Sequence, residues 1–287
     1  MKKDKFSKNN EENPAKMDSN NSLQSEENPG DFYSNIFSKI PPLIPYKNEI
    51  INDILKRKDK FFGHANFDSK RQDYILNCFT IIKEGLKDFG SPSSFFPIAF
   101  LSTKISDKLI FSSKGNINQK EYKLIYHGSV FIAAKYLTQY YIPILFDEGS
   151  DDKVLVTLEE VRNYENTINS IFNFQYNIVY PTDILCIYQL ADETYENKEI
   201  TKYCRFLFLF LMFSKIFTVE DKNLVILTVY YYSKIKMDKY VNWSKNIQDL
   251  TGIEKKKVFQ NINKLTMEIK EHYEIYNYLK DNFYNII

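Results

Sequence analysis

The chain has 287 residues, a formal net charge of +1, 44% hydrophobic residues, 23 Phe, 22 Tyr and only 8 Gly. That is apolar material for one large domain or two of about 100–150 residues, and so few glycines favour helices over a turn-rich β fold. The near-neutral balance is a poor footprint for a nucleic-acid binder, and three scattered cysteines without a CxxC (Cys78, Cys186, Cys204) make neither a disulfide framework nor a zinc site, which points to a reducing compartment.

Residues 1–30 are almost all polar and cannot bury enough apolar surface to offset their ordering entropy, so a disordered tail is expected, with no secretory signal in MKKDKFSKNN. Prolines 41, 42 and 45 open the folded part. NEIINDILKRKDKFF (48–62) places Ile50, Ile51, Ile54 and Leu55 on one face of an amphipathic helix. Helices are then expected over 74–89, ending at Gly90, over 95–110 and over 121–136. After the polar connection DEGSDDK, Thr157 and Glu160 form a capping box. The helix it opens carries Val161, Tyr164, Ile168 and Ile171 at helical spacing.

Pro181 ends this first set, and Thr182 is expected to cap the next helix, in ILCIYQLADE. A second set follows over 202–216 and 219–235, with Thr218 and Asp221 as caps. It continues over 252–273, with Thr251 and Glu254 as a second capping box, and over 275–284. The greasiest run, FLFLFLMF (206–213), is too short for a bilayer and reads as a core helix. In each set one central helix, 124–136 and 223–235, is apolar nearly all round, so other helices must surround it. The chain therefore reads as all-α, in two successive sets of about five helices split near 181.

Chemistry-bearing motifs are missing: no P-loop, GxGxxG, HExxH or GxSxG. His64, His127 and His272 have no partners at ligand spacing, and His127 reads as a satisfied histidine rather than a base or metal ligand. Lys255–Lys257 reads as a solvated basic run, with a nucleic-acid patch as the lesser alternative. A binding protein without cofactors, rather than an enzyme, is the expectation.

One charge stands out. SVFIAAKY (129–136) suits a buried helix except for Lys135. Snorkelling at a helix end is one account. The other uses Glu165, in EEVRNYENTINSIF, which lies near its helix's apolar stripe and would satisfy the lysine at a dry helix end.

These fragments, in their order and spacing, resemble the cyclin family over about residues 45–287. SDKLIFSS (106–113) resembles the end of the second cyclin-box helix, with Asp107 at the family's aspartate. Leu124 stands eleven residues before Lys135, where the family has its leucine. HGSVFIAAKY resembles the third helix. TLEEVRNYENTINSIFNFQYNIVYPTDIL is similar to the fifth helix, its following phenylalanine and the linker, with Glu165 at the family's glutamate. NLVILTVYYYS and WSKNIQDLTGIEKKKVFQNINKL are similar to the central helix and the mitotic-type ending of the second cyclin fold. Arg71 is the one candidate for the family's first-helix arginine, one residue out of register without a gap. Cys78 stands where a substrate-docking tryptophan is expected, and Leu137 and Thr138 replace acidic residues.

The resemblance implies two tandem five-helix cyclin folds preceded by an N-terminal helix. Its boundaries are a polar tail at 1–41, the helix at 42–70, the N-terminal cyclin box at 71–180 and the C-terminal fold at 181–287. It implies a non-catalytic regulatory subunit that forms a heterodimer with a cyclin-dependent protein kinase in the nucleus or cytoplasm, with no nucleic acid or membrane as partner. Lys135, Tyr136, Glu165 and Phe174 would touch the kinase, whose surface rather than solvent would cover the lysine's helix end; Asp107 and Leu124 would be structural. A helical scaffold without kinase activation, or a transcription factor of the TFIIB type, are the alternatives.

Overall fold

A computed structural model describes residues 69–89, 92–113, 117–138, 156–176, 178–192, 194, 197–214, 216, 220–237 and 241–287. The tail over 1–41 and the helix expected at 48–62 lie outside the described residues. Ten α-helices and no strands make up the described residues: α1 (Ser69–Phe89), α2 (Phe95–Ser112), α3 (Gln119–Leu137), α4 (Leu158–Phe172), α5 (Pro181–Ala191), α6 (Lys198–Leu211), α7 (Lys222–Met237), α8 (Lys245–Thr251), α9 (Lys255–Glu271) and α10 (Tyr273–Phe283). Short 3-10 turns at Pro92–Ser94 and Tyr284–Ile286 precede α2 and follow α10.

The two all-round apolar helices organise the packing. α3 lies against α1, α2 and α4, and α7 lies against α5, α6 and α9. α6 touches α2 and carries α10, so one continuous core runs through both groups. The run Phe206–Phe213 is fully interior. At the junction of the groups, the Phe79 ring lies 5.7 Å from Phe95, 5.8 Å from Phe213 and 5.7 Å from Phe283.

Local signals account for most helix starts. Thr157 and Glu160 form the expected capping box at α4, at 3.2 and 2.9 Å. Asn118 caps α3, and Asp221 accepts from the amides of Asn223 and Leu224 ahead of α7. Three expectations are corrected. Thr182 does not cap α5: the helix begins one residue earlier at Pro181, whose fixed φ suits a first turn, and Asp183 accepts from the Tyr180 amide at 2.9 Å. Thr251 and Glu254 make no capping box. Thr251 closes α8, a short helix the sequence reading missed, Gly252 ends it at φ 67°, and Glu254 precedes α9 without a side-chain cap. Ile171, placed on the apolar stripe of α4, is exposed, whereas Val161 and Ile168 on the same helix are buried.

His127 lies on α3 among buried residues. Burial, with Lys123 adding repulsion, pushes its imidazole down to about 4 from 6.5. A base whose folded pKa is depressed contributes stability that is full above pH 6.5 and is lost as pH falls toward 4. Wild type is expected to lose about 2 kcal/mol through this group between pH 7.5 and 5. Asp183 works in the opposite sense: burial pushes its carboxyl up to about 6, so its contribution is full below 3.8 and lost as pH rises through 6. Urea unfolding of wild type and His127→Gln at both pH values separates the two. The gap between the proteins should narrow at pH 5, and a gap independent of pH refutes the assignment.

Candidate functional site

The site forms where α3 and α4 end. Gly128 sets how closely the two helices pack: a Cβ there would meet the Cδ1 of Ile168 at 2.8 Å. With no side chain at that crossing, Ile168 seats directly on α3 and brings the outer face of α4 within reach of the last turn of α3. Lys120 bonds Glu160 at the other end of the pair and holds that carboxyl below its usual range. The second small core of Phe131, Val156 and Val161 packs alongside, with Leu124 against it.

Lys135 and Glu165, remote in the chain, meet at 2.7 Å. The Lys135 amine also lies 5.0 Å from the centre of the Phe131 ring. The dry setting expected for the lysine is one that a partner's surface would supply, and in the chain alone the pair is open. The Lys135 side chain is 48% exposed and that of Glu165 17%. Lys135 stands on the final turn of α3, past the apolar segment, and its stem reaches outward to keep the ammonium hydrated. An ion pair this open contributes about 0–1 kcal/mol to folding, well short of a buried pair.

Around the pair, apolar surface faces outward. Tyr136 is 51% exposed and Phe174 72%. Tyr136 packs edge-on to Tyr176 at 5.8 Å, Tyr176 stacks on Phe172 at 5.4 Å, and Lys108 sits 4.1 Å above the Phe172 ring. Burial and the nearby Glu165 push the Tyr176 hydroxyl up to about 12, so it stays neutral and donates to Asn169 Oδ1 at 2.5 Å.

Phe174 is held out by its backbone. Asn173 and Phe174 both have positive φ, 48° and 57°. Asparagine ends helices this way readily, whereas a bulky side chain there costs about 1–2 kcal/mol. The Phe174 amide donates to Asn169 O at 3.2 Å and the Gln175 amide to Phe172 O at 2.9 Å, which fixes the turn. An aromatic ring is thus displayed to solvent at a cost in backbone strain, a pattern that belongs to recognition sites rather than to cores.

Asp107 is buried and receives two bonds from Arg71, Nε–Oδ1 at 2.9 Å and Nη2–Oδ2 at 2.8 Å, and one from the Tyr74 hydroxyl. Arg71 also donates to the carbonyl of Met212 at 2.5 Å, tying α1 and α2 to the end of α6. Cys78 is fully buried in α1 and presents no docking surface.

Sequence reasoning missed a second lysine. Ile125, Ser129, Phe131, Lys135 and Tyr136 of α3 match Leu224, Thr228, Tyr230, Lys234 and Ile235 of α7 at one constant offset. Ser129 and Thr228 each donate to the carbonyl four residues back. Lys234 pairs with Asp192 at 2.5 Å, and Tyr230 donates to the same carboxylate at 2.5 Å. That pair is only 12% and 11% exposed. The second lysine is therefore sealed within the fold while the first stays open. The offset between the two central helices was the available signal.

Glu268, Glu271 and His272 bring three ligand atoms within 4.8 Å of one another, but the cluster faces solvent, where carboxylates gather without a metal. Among the described residues, no helix is long and apolar enough to cross a membrane. The chain matches no known family model and no curated protein.

Proposed function

We propose that this chain is a cyclin-type regulatory subunit, a non-catalytic protein that binds and activates a protein kinase through the ends of α3 and α4, with cyclin folds at 71–180 and 181–287. The observation that carries this reading is the convergence of Lys135 with Glu165, flanked by the outward-facing Tyr136 and the strained, displayed Phe174. The bidentate pairing of Arg71 with Asp107, the two positions matched to the family's first-helix arginine and its aspartate, supports it as well.

The mechanism is a population shift. A kinase resting in an inactive arrangement is pulled into the active one by a partner that binds only the latter. Going from 1:99 to 99:1 needs a differential of roughly 5.5 kcal/mol. The half-exposed ion pair cannot supply that alone. Phe174, burying about 150 Å² of what it now exposes, contributes roughly 3–4 kcal/mol. Tyr136 adds more, and the lysine's two remaining donors set the register.

Lys135→Ala is expected to leave the melting temperature within 2 °C of wild type, since the pair contributes about 0–1 kcal/mol, yet to reduce activation of the co-purified kinase by tenfold or more. Affinity purification from cells, with mass spectrometry of the eluate and a kinase assay, checks both. Wild-type activation by Lys135→Ala and by Phe174→Ala would sink the proposal, and an eluate without any kinase would favour the scaffold reading.

A further inference from the structure

Two phenylalanines are largely exposed among the described residues, Phe174 at 72% and Phe111 at 62%. Phe174 belongs to the surface at the ends of α3 and α4. Phe111 stands on the last turn of α2, and that turn is firmly built. Ser112 Oγ donates to the Lys108 carbonyl at 2.8 Å and Ser113 Oγ to the Ile110 carbonyl at 2.7 Å. The Ser113 amide donates to Leu109 O at 3.1 Å. Carbonyls that a helix end leaves open are thus satisfied within the turn, and Phe111 is displayed from a fixed frame rather than a frayed end.

Lys108 precedes Phe111 by one turn on the same face. Its ammonium lies 4.1 Å from the centre of the Phe172 ring, closer than the 5.0 Å of Lys135 over Phe131. Phe172 in turn stacks on Tyr176, which meets Tyr136. The aromatic surface at the ends of α3 and α4 therefore continues onto α2.

Lys108 is exposed and has no carboxylate partner among the described residues, whereas Lys120, Lys135, Lys234 and Lys264 each hold one. The neighbouring chain cannot supply it. Between Glu165 and Asp183 there is no charged residue, in a protein where 26% of residues are charged. Depletion of charge together with displayed aromatic rings is the composition of an interface core. An uncompensated ammonium at the edge of such a surface calls for a carboxylate from outside. A nucleic-acid strand would need a groove of cations along its backbone, and one free ammonium near the Glu165 carboxylate does not provide it.

We infer that the last turn of α2 is part of the partner-binding surface: Lys108 receives a carboxylate of the bound kinase, and Phe111 packs against an apolar side chain beside it. This rests on the kinase-subunit reading and extends its surface beyond α3 and α4. Phe172 holds the Lys108 ammonium in place by the attraction of its ring face, and the donors turned away from the ring remain for the carboxylate. The kinase must then present an acidic residue next to an apolar one on the segment that reaches past Phe174.

The test uses the kinase complex purified with the full chain. A water-soluble carbodiimide joins an amine and a carboxylate in contact as an amide. It is expected to link Lys108 to an Asp or Glu of the kinase, read by peptide mass spectrometry. Lys108→Glu and Phe111→Ser are each expected to lower the kinase recovered by about tenfold, while Lys108→Arg retains it. Both side chains are exposed, so the variants should melt with wild type. If Lys135→Ala and Phe174→Ala weaken the complex while Lys108→Glu and Phe111→Ser leave it intact, the inference falls and the kinase reading stands. A wild-type complex in which Lys108 forms no link to the kinase has the same consequence. If the wild-type chain brings down no kinase, both fall.

Discussion

Arg71→Ala is expected to lower stability by about 3–5 kcal/mol. Arg71 is 3% exposed and Asp107 6%. Removing the guanidinium leaves the Asp107 carboxylate in the core with only the Tyr74 hydroxyl as a described partner, and it strips the Met212 carbonyl of its donor. A buried charge stranded in this way costs far more than the intact pair contributes. Chemical denaturation measures the loss directly. The double variant Arg71→Met/Asp107→Leu is the control. It removes both charges and keeps apolar volume, so it should recover much of the stability. If Arg71→Ala costs less than 1 kcal/mol, the pair is not the clamp its geometry indicates.

Phe283→Ala is the second large effect, with an expected cost of about 3–5 kcal/mol. The ring comes from the end of α10 and is 1% exposed. It lies 5.7 Å from Phe79 and 5.4 Å from Phe95, and Lys83 approaches its face at 5.3 Å. Its removal opens a cavity where the last helix meets α1 and α2, and the surrounding rings are too constrained to collapse into it. Phe283→Leu should cost clearly less because it retains most of the volume. Amide hydrogen exchange should show lost protection in both α1 and α10 of the alanine variant. Loss confined to α10 would mean that the two groups of helices are not coupled through this ring.

The contrast between the two lysines shows where sequence reading stops. SVFIAAKY and VYYYSKI look alike, and each ends an apolar helix with a charge. Composition and periodicity placed both helices at the centre of their groups, and burial of α3 and α7 agrees. The pairing of Lys135 with Glu165 was legible because Glu165 sits beside an apolar stripe at helical spacing. The exposure of the pair was not, since it depends on where α3 ends relative to α4, and that depends on the close approach at Gly128. Lys234 was passed over because its partner, Asp192, stands at the C-terminal end of α5, where no local pattern points to a residue 42 positions further on.

Likewise, the sequence carried the capping box at Thr157 but misread Thr251. A capping motif is local and chemical, whereas the choice between one long helix and two short ones at Gly252 depends on how α8 and α9 pack on α5 and α7. The amino-acid order by itself determined that this protein is helical, where its central helices lie and which charges stand on them, because those follow from side-chain periodicity and hydrogen-bonding chemistry within a few residues. Only the tertiary structure decided that Arg71 reaches Met212, that Phe283 closes on Phe79, and that one lysine pair is sealed while the other faces water. Those contacts join segments far apart in the chain, and packing density, which no local pattern encodes, selects them.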